Sequence, residues 1–462
     1  MHNEGLKPVK LQKMLQMPHL SPVRIITLGF AAIILAGALL LNTPLASRSG
    51  ECIGFIDALF TATSATCVTG LIVVDTYQFW SPFGQIVILL LIQVGGLGFM
   101  TVATLLSFML RRTISLRERL LMVESYNQND IQGIVRLARY VMIGTLMFEG
   151  IGAVILSFRF IQDFGVVNGI AKGIFHSISS FCNAGFDLMG ERGVPFASLT
   201  SYHQDFIVNY TIMGLIVVGG LGFAVWQDIL KARRLRDLSV HTRLVLIITA
   251  FLIISGFLVF LGLEYHNPET LGPMKLGDKL NAALFQSVTT RTAGYNTIDQ
   301  GAITNGSKFF SVLLMFIGGS PGSTAGGIKT VTFGILLLSV AAVIRGSADV
   351  NVFTRRISIP LVLRSVAVFL VGAAIMVIGT MILCIFEDQP FIDLLFEVAS
   401  AFGTVGLTTG ITPELCHVSK VTLIIIMFMG RIGVLTLGMA LAMRAHTNQQ
   451  GIRYPLAKVF VG

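Results

Sequence analysis

Charge is scarce in this chain. Only 12% of its 462 residues are Asp, Glu, Lys or Arg, about half the share of an ordinary soluble protein. Polar stretches are short as well. None exceeds about 40 residues, which leaves no room for a separate soluble domain. The five cysteines, Cys52, Cys67, Cys182, Cys384 and Cys416, are odd in number, and no two have metal-ligand spacing. They read as small packing residues. No cluster of His, Cys and carboxylates has ligand spacing, and no catalytic constellation is apparent, so the sequence does not point to an enzyme. The opening "MHNEGLKPVKLQKMLQMPHLSPVR" is too long and polar ahead of its first apolar run for a typical cleaved signal.

What is present is apolar. Hydrophobic residues make up 54% of the chain, and the mean hydropathy is +0.79. Several runs reach about 20 residues, enough to cross a bilayer core of about 30 Å. Eight candidate spans lie near 23–42, 84–110, 140–158, 205–229, 244–263, 309–344, 360–386 and 421–443. Between the members of each consecutive pair is a shorter apolar stretch, near 53–65, 170–181, 278–289 and 391–402. These are too short to cross and suit re-entrant helices. With both termini placed in the cytoplasm, two thirds of the 33 Lys and Arg fall in inner segments, as the positive-inside rule requires. The net charge of +9 is therefore a topology signal, with anionic lipid or an acidic partner as its further use, rather than a sign of nucleic-acid binding.

Each short stretch ends in a small polar run around a glycine: "TCVTGL" with Gly70, "FCNAGF" with Gly185, "TRTAGY" with Gly294 and "FGTVGL" with Gly406. The glycines are 115, 109 and 112 residues apart. A near-constant period across the whole chain is the mark of internal repetition. The following spans carry "VGGLGF", "VGGLGF", "IGGSPG" and "MGRIGV", starting their glycines at Gly95, Gly219, Gly318 and Gly430. Close helix packing explains a single glycine pair, not the register. The expected fold is all-α and integral to the membrane: four span–pore-helix–filter-loop–span repeats around a pseudo-fourfold pore. The repeats take 23–120, 121–235, 236–350 and 351–443, with cytoplasmic segments 1–22 and 444–462. Four loops around one axis can aim backbone carbonyls at it, and carbonyl rings replace the hydration shell of potassium. The expected filter is Val68, Thr69 and Gly70; Asn183, Ala184 and Gly185; Thr292, Ala293 and Gly294; and Thr404, Val405 and Gly406.

The ordered combination of these motifs resembles the Trk/Ktr/HKT superfamily of potassium transporters, and within it the KtrB type of membrane subunit. The likeness covers nearly the whole chain: eight spans, four glycine loops, the glycine-rich break in the sixth span, the arginine in the eighth and the closing "RYPLAKVFVG". It implies potassium uptake across the plasma membrane. It also implies a homodimer, and a cytoplasmic KtrA-type ring that binds the nucleotide this chain does not. Some relatives are stimulated by sodium, and no residue here fixes a sodium site. Glycine at all four filter positions supports potassium, since some relatives that favour sodium have serine in the first loop.

The sixth span, 309–344, has 36 residues. A straight helix of that length is about 54 Å long, far beyond the bilayer core. "GGSPGSTAGGIK" supplies a break: Gly318, Gly319, Ser320, Pro321, Gly322, Ser323, Thr324, Ala325, Gly326 and Gly327, then Ile328 and Lys329. It reads as a movable gate facing Arg431, with a static kink as the plain alternative. It is not a Walker A loop, because Ile328 separates Gly327 from Lys329. Arg431 stands where the other repeats have Gly96, Gly220 and Gly319. A mid-span cation usually faces the interior or water; the alternative is a structural ion pair or carbonyl contact, and the resemblance places it facing the pore.

Glu149 is either functional or a buried polar anchor. Asp187 and Asn296 either attract cations at the outer mouth or cap their loops. Asp75, Glu387 and Asp388 read as solvated outer charges, Asp228 as a polar span end, and His176 as a packed side chain. A carrier for a small organic solute is the rival function, since broken helices and repeats mark that class too.

Overall fold

Three helices of this chain stop at a glycine of positive φ, and several start on a small polar side-chain cap. The computed structural model describes residues 22–98, 122, 134–190, 193–232, 234–347 and 349–433. Repeat 1 contains α1 (Pro22–Leu41), the pore helix α2 (Phe55–Thr66), the short α3 (Thr76–Phe79) and α4 (Pro82–Leu97). Repeat 2 has α5 (Ile134–Phe181), broken at Gly165, then α6 (Phe206–Leu221) and α7 (Phe223–Lys231). Repeat 3 has α8 (Val240–Glu264), α9 (Leu276–Thr289), α10 (Asn305–Phe316) and α11 (Thr330–Ile344). Repeat 4 has α12 (Ile359–Phe386), α13 (Phe391–Gly403) and α14 (His417–Ile432).

Among the described residues, four helices are long and apolar enough to cross a membrane: Arg24–Leu41 within α1, then α5, α8 and α12. These are the first helices of the four repeats. Their outward faces are apolar: Phe251, Ile254 and Leu258 on α8, and Val377, Ile378 and Met381 on α12, are all exposed. Such surface suits lipid rather than water.

Three of the four second helices begin on side-chain caps. Ser81, Asp205 and Thr304 accept the amides of Gly84, Val208 and Ser307 at the starts of α4, α6 and α10, satisfying donors that the first turn leaves free. Their ends correct the sequence reading, which gave a break to the sixth span alone. Gly98 ends α4 at φ 78°, Gly222 ends α6 at φ 94° and Gly433 ends α14 at φ 95°. These are left-handed conformations that glycine adopts without penalty. After Gly222 the chain turns by 94° into α7. Repeat 2 is thus interrupted at Gly222 alone, whereas repeat 3 is interrupted from Ile317 to Lys329. The rest of the expected spans 84–110 and 421–443, with both terminal segments, lies outside the described residues. A departure from the all-α expectation is a small antiparallel hairpin, β1 (Val350–Val352) paired with β2 (Arg355–Ile357).

The repeats pack in a cycle. The second helix of each lies against the pore helix of the next: α4 against α5, α6 against α9, α10 against α13, and α14 against α2. The last contact joins the end of the chain to its beginning. Lys308 Nζ is 2.8 Å from Asp393 Oδ1, and Lys420 Nζ is 2.8 Å from Asp57 Oδ1. Both pairs tie a second helix to the next pore helix, and both aspartates stand 13 residues before their loop glycine.

Candidate ion pathway

The four pore helices end at Thr66, Phe181, Thr289 and Gly403, and the loops that follow meet one another. A Cβ added to Gly70 would strike the carbonyl oxygen of Ala184. One on Gly185 would strike that of Ala293, one on Gly294 that of Val405, and one on Gly406 that of Thr69. The order runs through the repeats and closes on itself. All four glycines also have positive φ, 92°, 69°, 82° and 92°, so no other residue fits either the space or the backbone.

Two residues before each glycine the backbone is again left-handed: Val68 at φ 51°, Asn183 at 60°, Thr292 at 69° and Thr404 at 50°. Three of these are β-branched, for which the conformation is a real outlier. Strain repeated at four matching positions is the kind that function selects and surrounding structure must enforce. The enforcement is visible. Thr69 N, Ala184 N and Val405 N donate to the carbonyls of Ser64, Ser179 and Ser400 at 2.7, 2.7 and 2.8 Å, and Ala293 N donates to that of Thr289 at 3.0 Å.

The hydroxyls of those four residues divide into two pairs. Ser64 and Ser400 accept the amides of Gly70 and Gly406 at 3.1 and 3.0 Å. Ser179 and Thr289 instead donate to the carbonyls of Phe186 and Tyr295 at 2.9 and 2.5 Å. The Tyr295 hydroxyl adds a cross-link by donating to Phe186 O at 2.9 Å. Further out, two side chains of the helices that precede the loops hold the strand leaving the glycine loop. His176 Nε2 accepts Leu188 N at 3.3 Å, which assigns the proton to Nδ1, donating to Lys172 O at 2.8 Å. Glu397 accepts Thr409 N at 3.2 Å and the hydroxyls of Thr408 and Thr412. His176 is packed, as its sequence context suggests.

The glycine-rich loop crosses this ring on the side where the pore helices end. Ser320 N and Thr324 N donate to Gly220 O and Gly219 O at 3.0 and 3.3 Å, and Phe223 N donates to Gly322 O at 2.9 Å. On the far side Gly326 leaves no room for a Cβ beside the Thr404 side chain. The loop thus reaches from repeat 2 to repeat 4. Its neck is closed by Gly318 N donating to Ile328 O at 2.8 Å. Arg431 donates to Thr324 O and Gly95 O, and to Gly96 O at 3.0 Å. It therefore grips the loop and repeat 1 together, through carbonyls rather than a carboxylate. Lys329 Nζ donates to Ala325 O at 2.7 Å.

Two of the other acidic residues, Asp75 and Glu387, sit differently from the sequence reading. Asp75 is buried, not solvated, and accepts the amides of Tyr77, Gln78 and Phe196 at 2.9, 2.8 and 2.8 Å. Glu387 is half-buried and accepts Cys416 N at 2.9 Å, while Asp388 is exposed. Glu149 has Gln93 as a hydrogen-bond partner at 3.2 Å. Asp187 accepts Met189 N at 2.9 Å, and Asn296 donates to Ile298 O at 3.0 Å, the loop-capping arrangement. In the loop outside the spanning helices, burial pushes the Asp187 carboxyl up to about 6; the Met189 amide opposes this, Asp75 adds to it and Lys172 opposes it. Cys67 and Cys182 are buried packing residues, whereas Cys52 and Cys384 are exposed.

Sequence reading missed Arg291 and Glu264. Glu264 is fully buried and accepts from Thr270, Thr304, Ser307 and Asn267. Arg291 is buried three residues before Gly294, where the other repeats have Cys67, Cys182 and Gly403. That mismatch was visible once the loops were aligned.

Comparison with known proteins gives one consistent picture. A family profile described as TrkH, cation transport protein, matches residues 27–450. The chain is 44% identical over 450 residues to the Ktr system potassium uptake protein B of Bacillus subtilis, covering 97% of this chain and 99% of that protein. It is 41% identical to the potassium/sodium uptake protein NtpJ of Enterococcus hirae, covering 96% and 98%. Among solved structures it is similar to the potassium transporter TrkH from Vibrio parahaemolyticus, with a TM-score of 0.70, 19% identity and coverage of 92% and 86%. That last likeness is one of fold.

Proposed function

The chain belongs to the TrkH family of cation transport proteins, and from that premise we propose that it takes up potassium across the plasma membrane through a channel-like filter. The observation that carries the proposal is the cyclic meeting of Gly70, Gly185, Gly294 and Gly406 with the carbonyls of the neighbouring loops. Thr69, Ala184, Ala293 and Val405 supply one ring of carbonyls. Val68, Asn183, Thr292 and Thr404 supply the layer nearer the helix ends. Alternating left-handed residues turn successive carbonyls toward one axis, and such rings substitute for water around a potassium ion. The pore helices aim their C-terminal ends, the negative end of the dipole, at the same centre.

Loop 318–329 and Arg431 form the gate in this reading. The loop lies across the path, and a fixed guanidinium beside it raises the barrier to a cation. Conduction then needs the loop to move and the Arg431 contacts with Thr324, Gly95 and Gly96 to break. The chain works as a homodimer with both termini in the cytoplasm, under a KtrA-type ring that supplies the nucleotide response. Sodium stimulation accords with the potassium/sodium name of the Enterococcus relative.

The test is potassium-limited growth of an uptake-deficient cell that also makes the regulatory partner. Rescue by the wild type, lost when alanine replaces all four loop glycines, is expected. No rescue by the wild type, or full rescue by the fourfold variant, overturns the assignment.

A further inference from the structure

In three repeats the first glycine of the second-helix motif packs directly on the end of its own pore helix. The absent Cβ of Gly95 faces Thr66 O, that of Gly219 faces Phe181 O and that of Gly430 faces Phe402 O. Each carbonyl belongs to the residue four before the loop glycine. The third repeat breaks the pattern. Gly318 faces Gly326 O, within its own loop, instead of Thr290 O. The direct link between filter loop and following helix is therefore missing where the movable segment starts.

Arg291 stands in its place. Its guanidinium Nη2 donates to Gly318 O at 3.4 Å. The side chain is 7% exposed, and Nη1 has no hydrogen-bond partner. No carboxylate faces it among the described residues. It borders a small cavity with Gly220, Thr249 and Gly319. Burying an unpaired guanidinium is costly, and a packing role needs no charge. Cys67, Cys182 and Gly403 fill the matching positions without one. Arg291 is also one residue from Thr292, whose left-handed backbone is part of the ring.

We propose that Arg291 is a positioning residue that couples the third filter loop to the gate. It holds the neck carbonyl of Gly318 by a hydrogen bond in place of backbone packing. Displacing loop 318–329 removes that acceptor, frees the guanidinium and relaxes Thr292 and its neighbours. Movement of the gate is thereby transmitted to one quarter of the filter. This inference rests on the gate and filter reading above.

Hydrogen exchange on the purified full chain in lipid nanodiscs tests it without transport. Four proteins are compared: wild type, Arg291→Gln, a variant shortened across 320–327, and the combination. Shortening the loop is expected to speed exchange in the peptide covering 289–297 several-fold when Arg291 is present. With glutamine at 291 exchange is already fast, and shortening adds nothing. Arg291→Lys, which keeps a donor, should restore part of the response. Equal responses to shortening with and without Arg291 overturn the proposal. So does a uniform rise in exchange across all four filter loops in Arg291→Gln, which marks general destabilisation.

Potassium and sodium flux by the same proteins supplies a second reading. The potassium-to-sodium ratio should fall several-fold in Arg291→Gln and fall no further on shortening; multiplicative effects of the two changes overturn the coupling. If the wild type carries no potassium, the transport reading fails while the exchange cycle still decides the coupling.

Discussion

Lys420 Nζ sits 2.8 Å from Asp57 Oδ1, joining the last repeat to the first across 363 residues of chain. The lysine side chain is 8% exposed and the aspartate 24%, so the pair is shielded on one side and partly open on the other. Removing one partner leaves a charge in a poor solvent. Lys420→Met or Asp57→Asn should each cost about 2 kcal/mol, less than a fully buried pair and more than a surface one. The double variant should recover part of that loss. Thermal unfolding in detergent measures all three, and strictly additive losses count against the pairing.

Gly70→Ser tests the proposed filter ring at one position. Its Cβ would enter the Ala184 carbonyl at a backbone φ of 92°. Strain of about 1–3 kcal/mol must push loop 1 away from loop 2. The expected outcome is a protein that still folds and still passes cations, with potassium preference over sodium reduced about tenfold, the equivalent of about 1.4 kcal/mol. Unchanged preference in a reconstituted flux assay removes Gly70 from the filter.

Shortening the loop across 320–327 deletes Thr324 and Ala325, and with them the acceptors that Arg431 and Lys329 hold. Cation flux should rise several-fold and lose most of its dependence on the proposed regulatory ring. Arg431→Gln should move flux in the same direction by a smaller factor, because the loop's bonds to Gly219 and Gly220 remain. A folded, shortened protein that conducts as before ends the gate assignment.

Asp187 provides a pH signature. Burial, opposed by the Met189 amide, reinforced by Asp75 and opposed by Lys172, holds its carboxyl near 6. Its folded value lies above the ordinary one, so its charge develops late and its proton favours the fold in acid. If the carboxylate draws cations to the outer mouth, uptake at low potassium should climb as the outside pH rises from 5 to 7. Asp187→Asn should flatten that climb. A profile identical in the variant leaves Asp187 with its loop-capping role alone.

Much of this arrangement is legible in the sequence because repetition fixes register. The pore stretches expected near 53–65, 278–289 and 391–402 correspond to helices at Phe55–Thr66, Leu276–Thr289 and Phe391–Gly403. Apolar length alone marks them, and the glycine after each marks the loop. What the sequence conceals depends on contacts between repeats. Asp75 looks like a surface charge until Phe196, 121 residues away, brings an amide to it. The helix stops at Gly98, Gly222 and Gly433 were hidden by apolar residues that continue past them, because hydropathy does not register a change in φ. Arg291 went unnoticed for a related reason. Counting charges by segment assigns it to an outer loop, whereas folding turns that loop inward.

The two-and-two division of the hydroxyls around the glycine loops has an evolutionary consequence. A pore made from four identical chains must accept every substitution four times over, so a change that suits one quadrant is imposed on all. Here Ser64 and Ser400 hold an amide while Ser179 and Thr289 hold a carbonyl. A single polypeptide can let each quadrant drift alone, keeping the shared glycine while its supports diversify. One quarter can acquire a long glycine-rich segment and a buried cation without burdening the other three.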